Sequence, residues 1–262
     1  MLGRRREPSR RGRCGAESSP PPSPIATLPT FRASLRDAVS SCTGRSSVPS
    51  DPLPLTDLLD ARVGADPFPG FVPIPWPELR ARRGELPPPG SALHVLGPRE
   101  AFEVLTELGY VPVPADARGG EITRGRLFSV DPLVIASASE TPSDVLDLGG
   151  GIGRNAVWLA AGGHRVTAVD RIPKLAHGAA VMAERYGTSL TARTEYVEAV
   201  LKEPRAYDLV LLLFCWDRAF ARALAPVVRP GGRVVIATFL PDGGHTHPVA
   251  RERCLEEADA AA

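Results

Sequence analysis

The chain has 262 residues, enough for one or two domains, and its 43% hydrophobic and 23% charged residues exclude a wholly disordered polypeptide. The formal net charge is +1, so no overall field favours nucleic acid or an anionic membrane, and no apolar run approaches the roughly 18 residues of a membrane span. The cysteines lie far apart without CxxC spacing, which argues against a disulfide scaffold or a zinc site, and they are Cys14, Cys42, Cys215 and Cys254.

Residues 1–50 are predicted to be a disordered or transit-peptide-like segment. They contain nine arginines, ten serines and three acids, and they show no apolar periodicity. Such a segment cannot bury enough apolar surface to offset its chain entropy. The same composition is typical of an organellar transit peptide. The expected location is therefore a plastid or mitochondrion if 1–50 is a transit peptide, and the cytoplasm otherwise.

Residues 52–114 are rich in proline, and their pattern predicts a short α/β unit. The predicted elements are strands over 58–62 and 92–96, an extended loop over 67–77 and a helical turn over 78–83. Pro98 then opens a helix at the favoured first position, and Gly109 lies where a C-terminal cap belongs.

This stretch resembles a rhodanese domain over about half of the usual length of that domain. The matching residues are 60–62, 71–75, 78–79, 85–87, the strand to 96, Arg99, Ala101 and 105–110. Rhodaneses carry sulfur as a persulfide on a cysteine in the loop after the last of these strands. That loop is here Gly97-Pro98-Arg99, and no cysteine lies between Cys42 and Cys215. The resemblance therefore implies a degenerate segment that does not transfer sulfur; a proline-rich linker that matches by chance is the alternative.

Residues 121–262 carry a repeating pattern of strands and helices. The predicted strands are 145–148, 166–169, 191–197, 207–214 and 233–239, and the predicted helices follow 156–160, 175–186 and 219–228, the last stopped by Pro230-Gly231-Gly232. Strands that alternate with helices predict βαβ crossovers and a parallel sheet. The predicted fold class is α/β, with a Rossmann-like, doubly wound, mostly parallel sheet.

A glycine-rich loop follows the first of these strands and precedes a helix. Glycines there allow a ligand to approach the backbone closely, and ligands of open α/β sheets bind at the carboxyl ends of the strands. Asp170 ends the second strand, where a carboxylate can accept both hydroxyl hydrogens of an adenosine ribose. The loop residues predicted to bind a cofactor are Asp147, Gly149, Gly150, Gly151 and Gly153.

Two cofactors fit this loop. The spacing Gly151-x-Gly153-x-x-Ala156 with Asp170 also satisfies the dinucleotide pattern, in which a pyrophosphate lies on the helix N-terminus. Asp147 is poorly placed beside a pyrophosphate but well placed for a ligand that carries an amino group. S-adenosyl-L-methionine is such a ligand, and the loop favours it over a nicotinamide dinucleotide.

The segment resembles a class I S-adenosylmethionine-dependent methyltransferase. More narrowly, it is similar to small methyltransferases of the tellurite-resistance type, some of which follow a rhodanese-like module. The matching residues are 126–129, 131–132, 147–153, 155–160, Asp170, 214–218, 229–232 and 237–239. The resemblance implies that the loop glycines line the methionine part of the cofactor, that Asp147 orients the loop and the amino group through water, and that Asp170 binds the ribose hydroxyls.

The family also has an acid after the third strand that contacts the adenine amine. By spacing, that position falls on Val200, which cannot make the contact. Glu198 lies two residues earlier and is the candidate that replaces the missing acid.

Methyl transfer from a sulfonium depends on proximity and alignment, and it needs a general base only when the acceptor is protonated. Residues 214–217 end the fourth strand, where acceptors approach, and they lack the Pro-Pro-aromatic and Pro-Cys motifs of enzymes that methylate nucleic-acid bases. We therefore expect a small-molecule acceptor, with no nucleic acid, membrane or metal. Asp217 is interpreted as a solvated loop acid rather than a base, and His245 and His247 as loop histidines.

The complete fold of this family has seven strands, the last two in a hairpin. Only 23 residues follow Phe239, and they contain no strand-like run. The sequence therefore predicts that the domain over 121–262 is C-terminally truncated, with an open edge at its fifth strand. A non-catalytic cofactor-binding or regulatory relic is the alternative function. A nicotinamide-dependent oxidoreductase is less favoured because of Asp147 and the Arg-Pro-Gly-Gly turn.

Overall fold

The computed structural model describes residues 51–116, 125–202 and 207–240, together with Cys254. The predictions for 1–50, for His245 and His247, and for a missing hairpin after 240 concern residues outside these ranges. Among the described helices, none has the length and hydropathy that a membrane span requires.

The first sheet contains four parallel strands in the order β2-β1-β3-β4. Its strands are β1 (Leu58–Asp60), β2 (Val72–Pro73), β3 (Ala92–Leu96) and β4 (Val111–Pro114), with 3-10 turns at Trp76–Glu78 and Arg83–Glu85 and the helix α1 at Arg99–Glu107. The strand over 92–96 and the helix after Pro98 are confirmed. The single extended loop predicted over 67–77 is wrong, because Val72 pairs with Leu59 of β1.

The second sheet contains five parallel strands in the order β7-β6-β5-β8-β9. The strands are β5 (Asp144–Leu148), β6 (Arg165–Asp170), β7 (Thr191–Thr194), β8 (Tyr207–Leu213) and β9 (Val228–Ala237). The chain builds outward from β5 in one direction and then returns to its other side. This reversal confirms the doubly wound fold and makes the β5/β8 border the switch point where ligands bind.

Helices connect these strands as the βαβ pattern requires. They are α2 (Pro132–Ser137), α3 (Arg154–Ala161), α4 (Pro173–Arg185), α5 (Val197–Val200) and α6 (Arg218–Ala223). The helix α2 is absent from the sequence predictions. The side chain of Asp131 caps it by accepting a hydrogen bond from the amide of Leu133, and Pro132 occupies the first turn.

Three predicted boundaries in this half are wrong. The third strand ends at Thr194 rather than Val197, and Val197 instead begins α5. The helix predicted to reach 228 is broken into α6 and a separate 3-10 turn at Ala225–Val227, which Pro226 opens. Strand β9 begins at Val228 rather than Arg233, because a register shift opposite Tyr207 absorbs the Pro-Gly-Gly segment.

The two sheets share one hydrophobic cluster. It runs from Leu59 and Leu93 in the first sheet through Phe128 to Val145 and Leu211 in the second. Each of these side chains is almost completely buried, and full burial of a leucine contributes about 1.5–3 kcal/mol. All described residues accordingly belong to one compact unit.

Side chains alternate between the faces of β5. Leu146 and Leu148 pack into a second cluster on the opposite face, whereas Val145 points into the shared cluster. Asp147 has the same parity as Val145, so its carboxyl group lies on the face that the first sheet covers.

Ion pairs join the amino ends of the second sheet. Asp144 accepts hydrogen bonds from Arg165 Nε at 2.7 Å and from Arg229 at 3.2 Å, and Arg229 also pairs with Asp208. The hydrogen bond from the Arg165 guanidinium holds the pKa of Asp144 below its usual range. The cofactor-binding residues predicted from the sequence lie at the opposite, carboxyl ends of the strands.

Candidate functional site

Two adjacent cavities open at the carboxyl ends of β5, β6 and β8. One has a volume of about 550 Å³, contains Tyr196 in its wall and is called here the Tyr196 cavity. The other has a volume of about 410 Å³, contains Asp147 and is called the Asp147 cavity. Gly149 and Phe214 line both, so the two cavities meet at these residues.

Asp147 lies at the bottom of its cavity and is 2% exposed. Its Oδ2 is buried and has no hydrogen-bond partner within the described part of the chain. Burial first, and then the negative charge of Asp170, together raise the pKa of Asp147 to about 7. The structure thus holds a carboxyl group that a cationic donor would satisfy.

The backbone of the loop is shaped for close approach. Gly149 has a φ of +69°, and a Cβ there would lie 2.6 Å from the Cβ of Cys215. Gly151 has a φ of +59°, and a Cβ there would meet nothing within 4 Å, although Gly151 lines the Asp147 cavity. A Cβ on Gly150 would lie 2.9 Å from Oδ2 of Asp147, so this glycine leaves room for the carboxylate.

Gly153 has a different place from the other loop glycines. It is not among the residues that line either cavity. It caps α3 with a φ of +86°, and its carbonyl accepts a hydrogen bond from the amide of Val157 at 2.7 Å. A Cβ there would lie 2.7 Å from that of Ala179 on α4. The structure therefore assigns Gly153 to the start of the helix rather than to a cavity wall.

Asp170 ties the second strand to the loop. Its Oδ2 accepts a hydrogen bond from the amide of Gly151 at 3.0 Å, and its Oδ1 accepts one from Ile172 at 2.8 Å. Each carboxylate oxygen has two lone pairs, so both retain acceptor capacity toward the Tyr196 cavity, which Asp170 lines.

The two candidates after the third strand separate in the structure. Glu198 lines the Tyr196 cavity together with Asp170. Val200 is 1% exposed and packs in the second hydrophobic cluster. Residues two apart on a helix point about 200° apart, so α5 presents one of them to the cavity and the other to the core.

The end of β8 forms the wall that the cavities share. Phe214 has a φ of +55°, which is uncommon for a bulky residue, and its amide donates to the carbonyl of Ala237. Its ring is half-exposed and lies 5.3 Å from the ring of Phe239. Asp217 accepts a hydrogen bond from the amide of Ala219 at 2.7 Å, which gives it a structural role at the start of α6.

These residues fit S-adenosyl-L-methionine. The orphaned Oδ2 of Asp147 matches a cationic amino group, the open side of Gly151 leaves room for the ligand, and Asp170 has acceptor capacity for ribose hydroxyls. In contrast, a pyrophosphate beside Asp147 would place like charges together. Among residues 51–116, 125–202, 207–240 and 254, no group of three or more His, Cys, Asp or Glu side chains has the arrangement of a metal site.

Comparison with known proteins agrees with this geometry. Residues 145–232 match the family described as a methyltransferase domain. With the switch point and the loop described above, that match decides the identity of this part of the chain. These residues form a class I methyltransferase domain. The match does not include 52–114, and the rhodanese resemblance stays a prediction.

The chain spans half or less of the length of the following proteins that it is similar to. A ubiquinone biosynthesis O-methyltransferase from Methylocella silvestris is 36% identical over 100 residues, which are 36% of this chain and 39% of that protein. TehB from Haemophilus influenzae is 21% identical with a TM-score of 0.39, over 43% of this chain and 42% of that one. A SAM-dependent methyltransferase from Agrobacterium tumefaciens is 21% identical with a TM-score of 0.36, over 47% and 50%.

Part of the cavity wall was not predicted from the sequence. Residues 129–132 line the Asp147 cavity, and Asn155 links them to α3 because its Oδ1 accepts a hydrogen bond from the amide of Asp131 at 3.0 Å. The signal in the sequence was the Asp-Pro pair at 131–132, which is typical of a helix N-terminus.

Proposed function

We propose that the chain binds S-adenosyl-L-methionine at the carboxyl edge of the second sheet and transfers its methyl group to a small-molecule acceptor. The observation that carries the proposal is the carboxyl group of Asp147, which is buried, lacks a partner at Oδ2 and lies beside the glycine-rich loop. Ionising a buried carboxyl group that lacks a partner is costly, so a site that retains such a group favours a ligand of opposite charge.

The proposed contacts follow the two cavities. Asp147 would face the amino group of the cofactor in the Asp147 cavity, and Asp170 would accept the ribose hydroxyls in the Tyr196 cavity. Glu198, in the wall of the same cavity, would accept a hydrogen bond from the adenine amine. Gly149 lies where the cavities meet and would face the sulfur-bearing part of the ligand.

When bound, the cofactor supplies an electrophilic methyl group on a sulfonium. The chain contributes alignment, because the loop and the wall at Phe214 would hold the two reactants in line, and such alignment is worth up to about 7–11 kcal/mol. A lone pair of the acceptor would form the new bond while the electron pair of the broken carbon–sulfur bond stays on sulfur, and a hydroxyl or thiol acceptor would lose its proton to water. No residue is assigned as a general base; Asp217 lines the Tyr196 cavity, and its Oδ1 accepts a hydrogen bond from the amide of Ala219 at the start of α6.

A small acceptor is supported by the charge of the chain and by one relative. The formal net charge of +1 offers no attraction to a nucleic-acid backbone. A relative named for O-methyl transfer in ubiquinone biosynthesis agrees with a small-molecule acceptor.

Calorimetric titration with S-adenosylhomocysteine and, separately, with NADH tests the proposal. We expect S-adenosylhomocysteine to bind and the Asp170→Ala variant to bind it at least about tenfold more weakly. Binding of NADH alone would identify a nicotinamide-dependent protein instead. Binding of S-adenosylhomocysteine, without methyl transfer from labelled S-adenosyl-L-methionine to any hydroxyl, thiol or amine acceptor in a panel, would favour the non-catalytic alternative.

A further inference from the structure

The glycine-rich loop contains a single side chain between Gly149 and Gly153 that reaches out of it, that of Ile152. This side chain lies between two glycines from other parts of the chain. A Cβ placed on Gly84 would lie 2.2 Å from Cδ1 of Ile152, and a Cβ placed on Gly178 would lie 3.9 Å from its Cγ2. Gly84 belongs to the 3-10 turn at Arg83–Glu85 in the first half of the chain, and Gly178 to α4.

An ion-pair cluster joins the two walls of this slot. Glu85, next to Gly84, is 3% exposed. Its carboxylate accepts hydrogen bonds from Arg82 at 2.9 and 2.7 Å and from Arg185, on the same helix as Gly178, at 2.7 Å. The hydrogen bond from Arg185 therefore links the turn to α4.

Two further contacts hold the helix that follows the loop. The indole Nε1 of Trp158 on α3 donates to Asp51 Oδ1 at 2.7 Å, and Asn155 on the same helix accepts from the amide of Asp131 at 3.0 Å. Residues from outside the methyltransferase domain therefore contact both the loop and its helix.

We propose that the turn at Arg83–Glu85 positions the glycine-rich loop for cofactor binding, by holding the side chain of Ile152 against Gly84. The first sheet then serves as a positioning element of the cofactor site rather than as a separate sulfurtransferase module. This inference rests on the proposed function for its ligand. The conformation of the loop can nevertheless be measured without the ligand.

The slot adds a side-chain contact to a loop that is otherwise held through the amides of Gly150 and Gly151, by Val169 and Asp170. Glycine loses more conformational freedom on ordering than any other residue. An isolated loop of this composition would therefore populate many conformations. If a displaced Ile152 leaves the binding-competent loop populated about one tenth of the time, the apparent affinity falls about tenfold.

The test uses the full chain and four variants. Gly84→Ala places a methyl group 2.2 Å from Cδ1 and 3.4 Å from Cγ1 of Ile152, so the flexible end of this side chain must leave its present position. Ile152→Val removes Cδ1, and the third variant combines the two substitutions. Gly178→Ala is the matched control, because its new methyl group would make only ordinary contact with the other side of Ile152 and lies within a helix. Titration with S-adenosylhomocysteine gives affinity, and thermal unfolding identifies any variant that does not fold.

We expect Gly84→Ala to weaken binding about tenfold, the double variant to recover to within about twofold, and Gly178→Ala to bind as the unaltered chain does. Wild-type affinity in Gly84→Ala, or a double variant as weak as Gly84→Ala, would overturn the inference. If Gly84→Ala does not fold, Arg185→Gln replaces it, since it removes the tie to Glu85 through a half-exposed side chain.

Hydrogen–deuterium exchange of the amides at 149–153, without ligand, separates the two proposals. Faster exchange in Gly84→Ala that the double variant reverses supports the positioning role whether or not the ligand binds. Unchanged exchange in Gly84→Ala overturns the positioning role. Failure of the unaltered chain to bind S-adenosylhomocysteine overturns the proposed function alone.

Discussion

The carboxylate of Asp170 and the amide of Gly151 are joined by a hydrogen bond of 3.0 Å, which ties the end of β6 to the glycine-rich loop after β5. The two residues belong to neighbouring strands at the switch point of the sheet. One side chain thus shapes the loop and, in the proposed complex, also contacts the ribose.

Asp170→Ala is expected to weaken binding of S-adenosylhomocysteine by about tenfold to more than a hundredfold. A hydrogen bond to a charged group contributes about 1.5–3 kcal/mol, and the substitution removes both the ligand contact and the support of Gly151. Isothermal titration calorimetry measures the change.

Glu195→Ala provides the control for this substitution. Glu195 follows β7 at the same edge of the sheet and pairs with Arg193, but it does not line the Tyr196 cavity. If this variant loses as much affinity as Asp170→Ala, the loss reports the general charge of the edge, and the specific role of Asp170 is wrong.

The sequence predicts those parts of the fold whose cause is local. Strand β8 is predicted because a strand covered on both faces is a continuous apolar run, and Leu209–Leu213 are all buried. The loop after β5 is predicted because positive φ angles at Gly149 and Gly151 require glycine.

Elements that depend on distant partners escape prediction. Strand β4 contains Pro112 and Pro114, which argue against a strand, but it lies at the edge of its sheet. The amide of Val111 donates to the carbonyl of Ser91, just before β3, and the amide of Ala115 donates to the carbonyl of Val95 in β3. The two prolines therefore do not have to supply hydrogen-bond donors.

The candidate site shows the same limit. The choice between Glu198 and Val200 depends on whether the chain is extended or helical there. Alignment by spacing favoured the position of Val200, and the start of α5 at Val197 placed Glu198 at the cavity. The slot for Ile152 was beyond sequence analysis, because Gly84 comes from the other half of the chain.

Gly151→Ala is expected to abolish detectable binding of S-adenosylhomocysteine with only a modest loss of stability. The new methyl group would meet no protein atom within 4 Å, but it would enter the space proposed for the ligand. The cost to folding is that of an alanine with positive φ, roughly 1–2 kcal/mol. Binding is measured by calorimetry and stability by denaturant unfolding.

Gly163→Ala is the matched control for that substitution. Gly163 also has a positive φ, +88°, and a Cβ there would also meet nothing within 4 Å, but it follows α3 away from both cavities. We expect a similar loss of stability and unchanged binding. Equal affinities for the two variants would show that the open side of Gly151 does not face the ligand.

The described part of the chain is expected to unfold in one cooperative transition. The cluster that contains Leu59 and Leu93 of the first sheet also contains Val145 and Leu211 of the second, so neither half can lose its packing alone. Differential scanning calorimetry should give equal calorimetric and van't Hoff enthalpies for that transition. Two separate transitions would contradict the shared core.

Leu93→Ala tests the same point by mutation. Leu93 is fully buried, and its truncation should cost about 2–5 kcal/mol and lower the Tm of the whole transition. Leu55→Ala is the control, because Leu55 is 58% exposed and its loss should change stability by less than about 0.5 kcal/mol. If part of the unfolding enthalpy of Leu93→Ala were still absorbed at the original Tm, the two halves would unfold independently.

Asp147 is expected to make stability fall as pH rises between about 4 and 7. Burial and the negative charge of Asp170 raise its pKa from 3.8 to about 7 in the folded chain, so the folded state holds a proton that the unfolded state has already lost. The free energy of unfolding then decreases with pH, because the unfolded state binds fewer protons. At 1.36 kcal/mol per pH unit, the whole interval corresponds to about 4 kcal/mol.

Denaturant unfolding across this pH range, compared with Asp147→Asn, isolates the contribution. The amide is close in shape and does not titrate, so the variant should lack this part of the slope while other groups keep theirs. Parallel pH profiles for the two proteins would show that Asp147 does not titrate in this window.

Binding of S-adenosylhomocysteine adds a second, independent consequence. Its cationic amino group beside Asp147 would favour the carboxylate and lower the pKa, so a proton should be released on binding near pH 6. Calorimetry in buffers of different ionisation enthalpy measures that release, and Asp147→Asn should abolish it. Proton uptake instead of release would contradict the pairing, since an acid that gains a cationic neighbour can only lose its proton more readily.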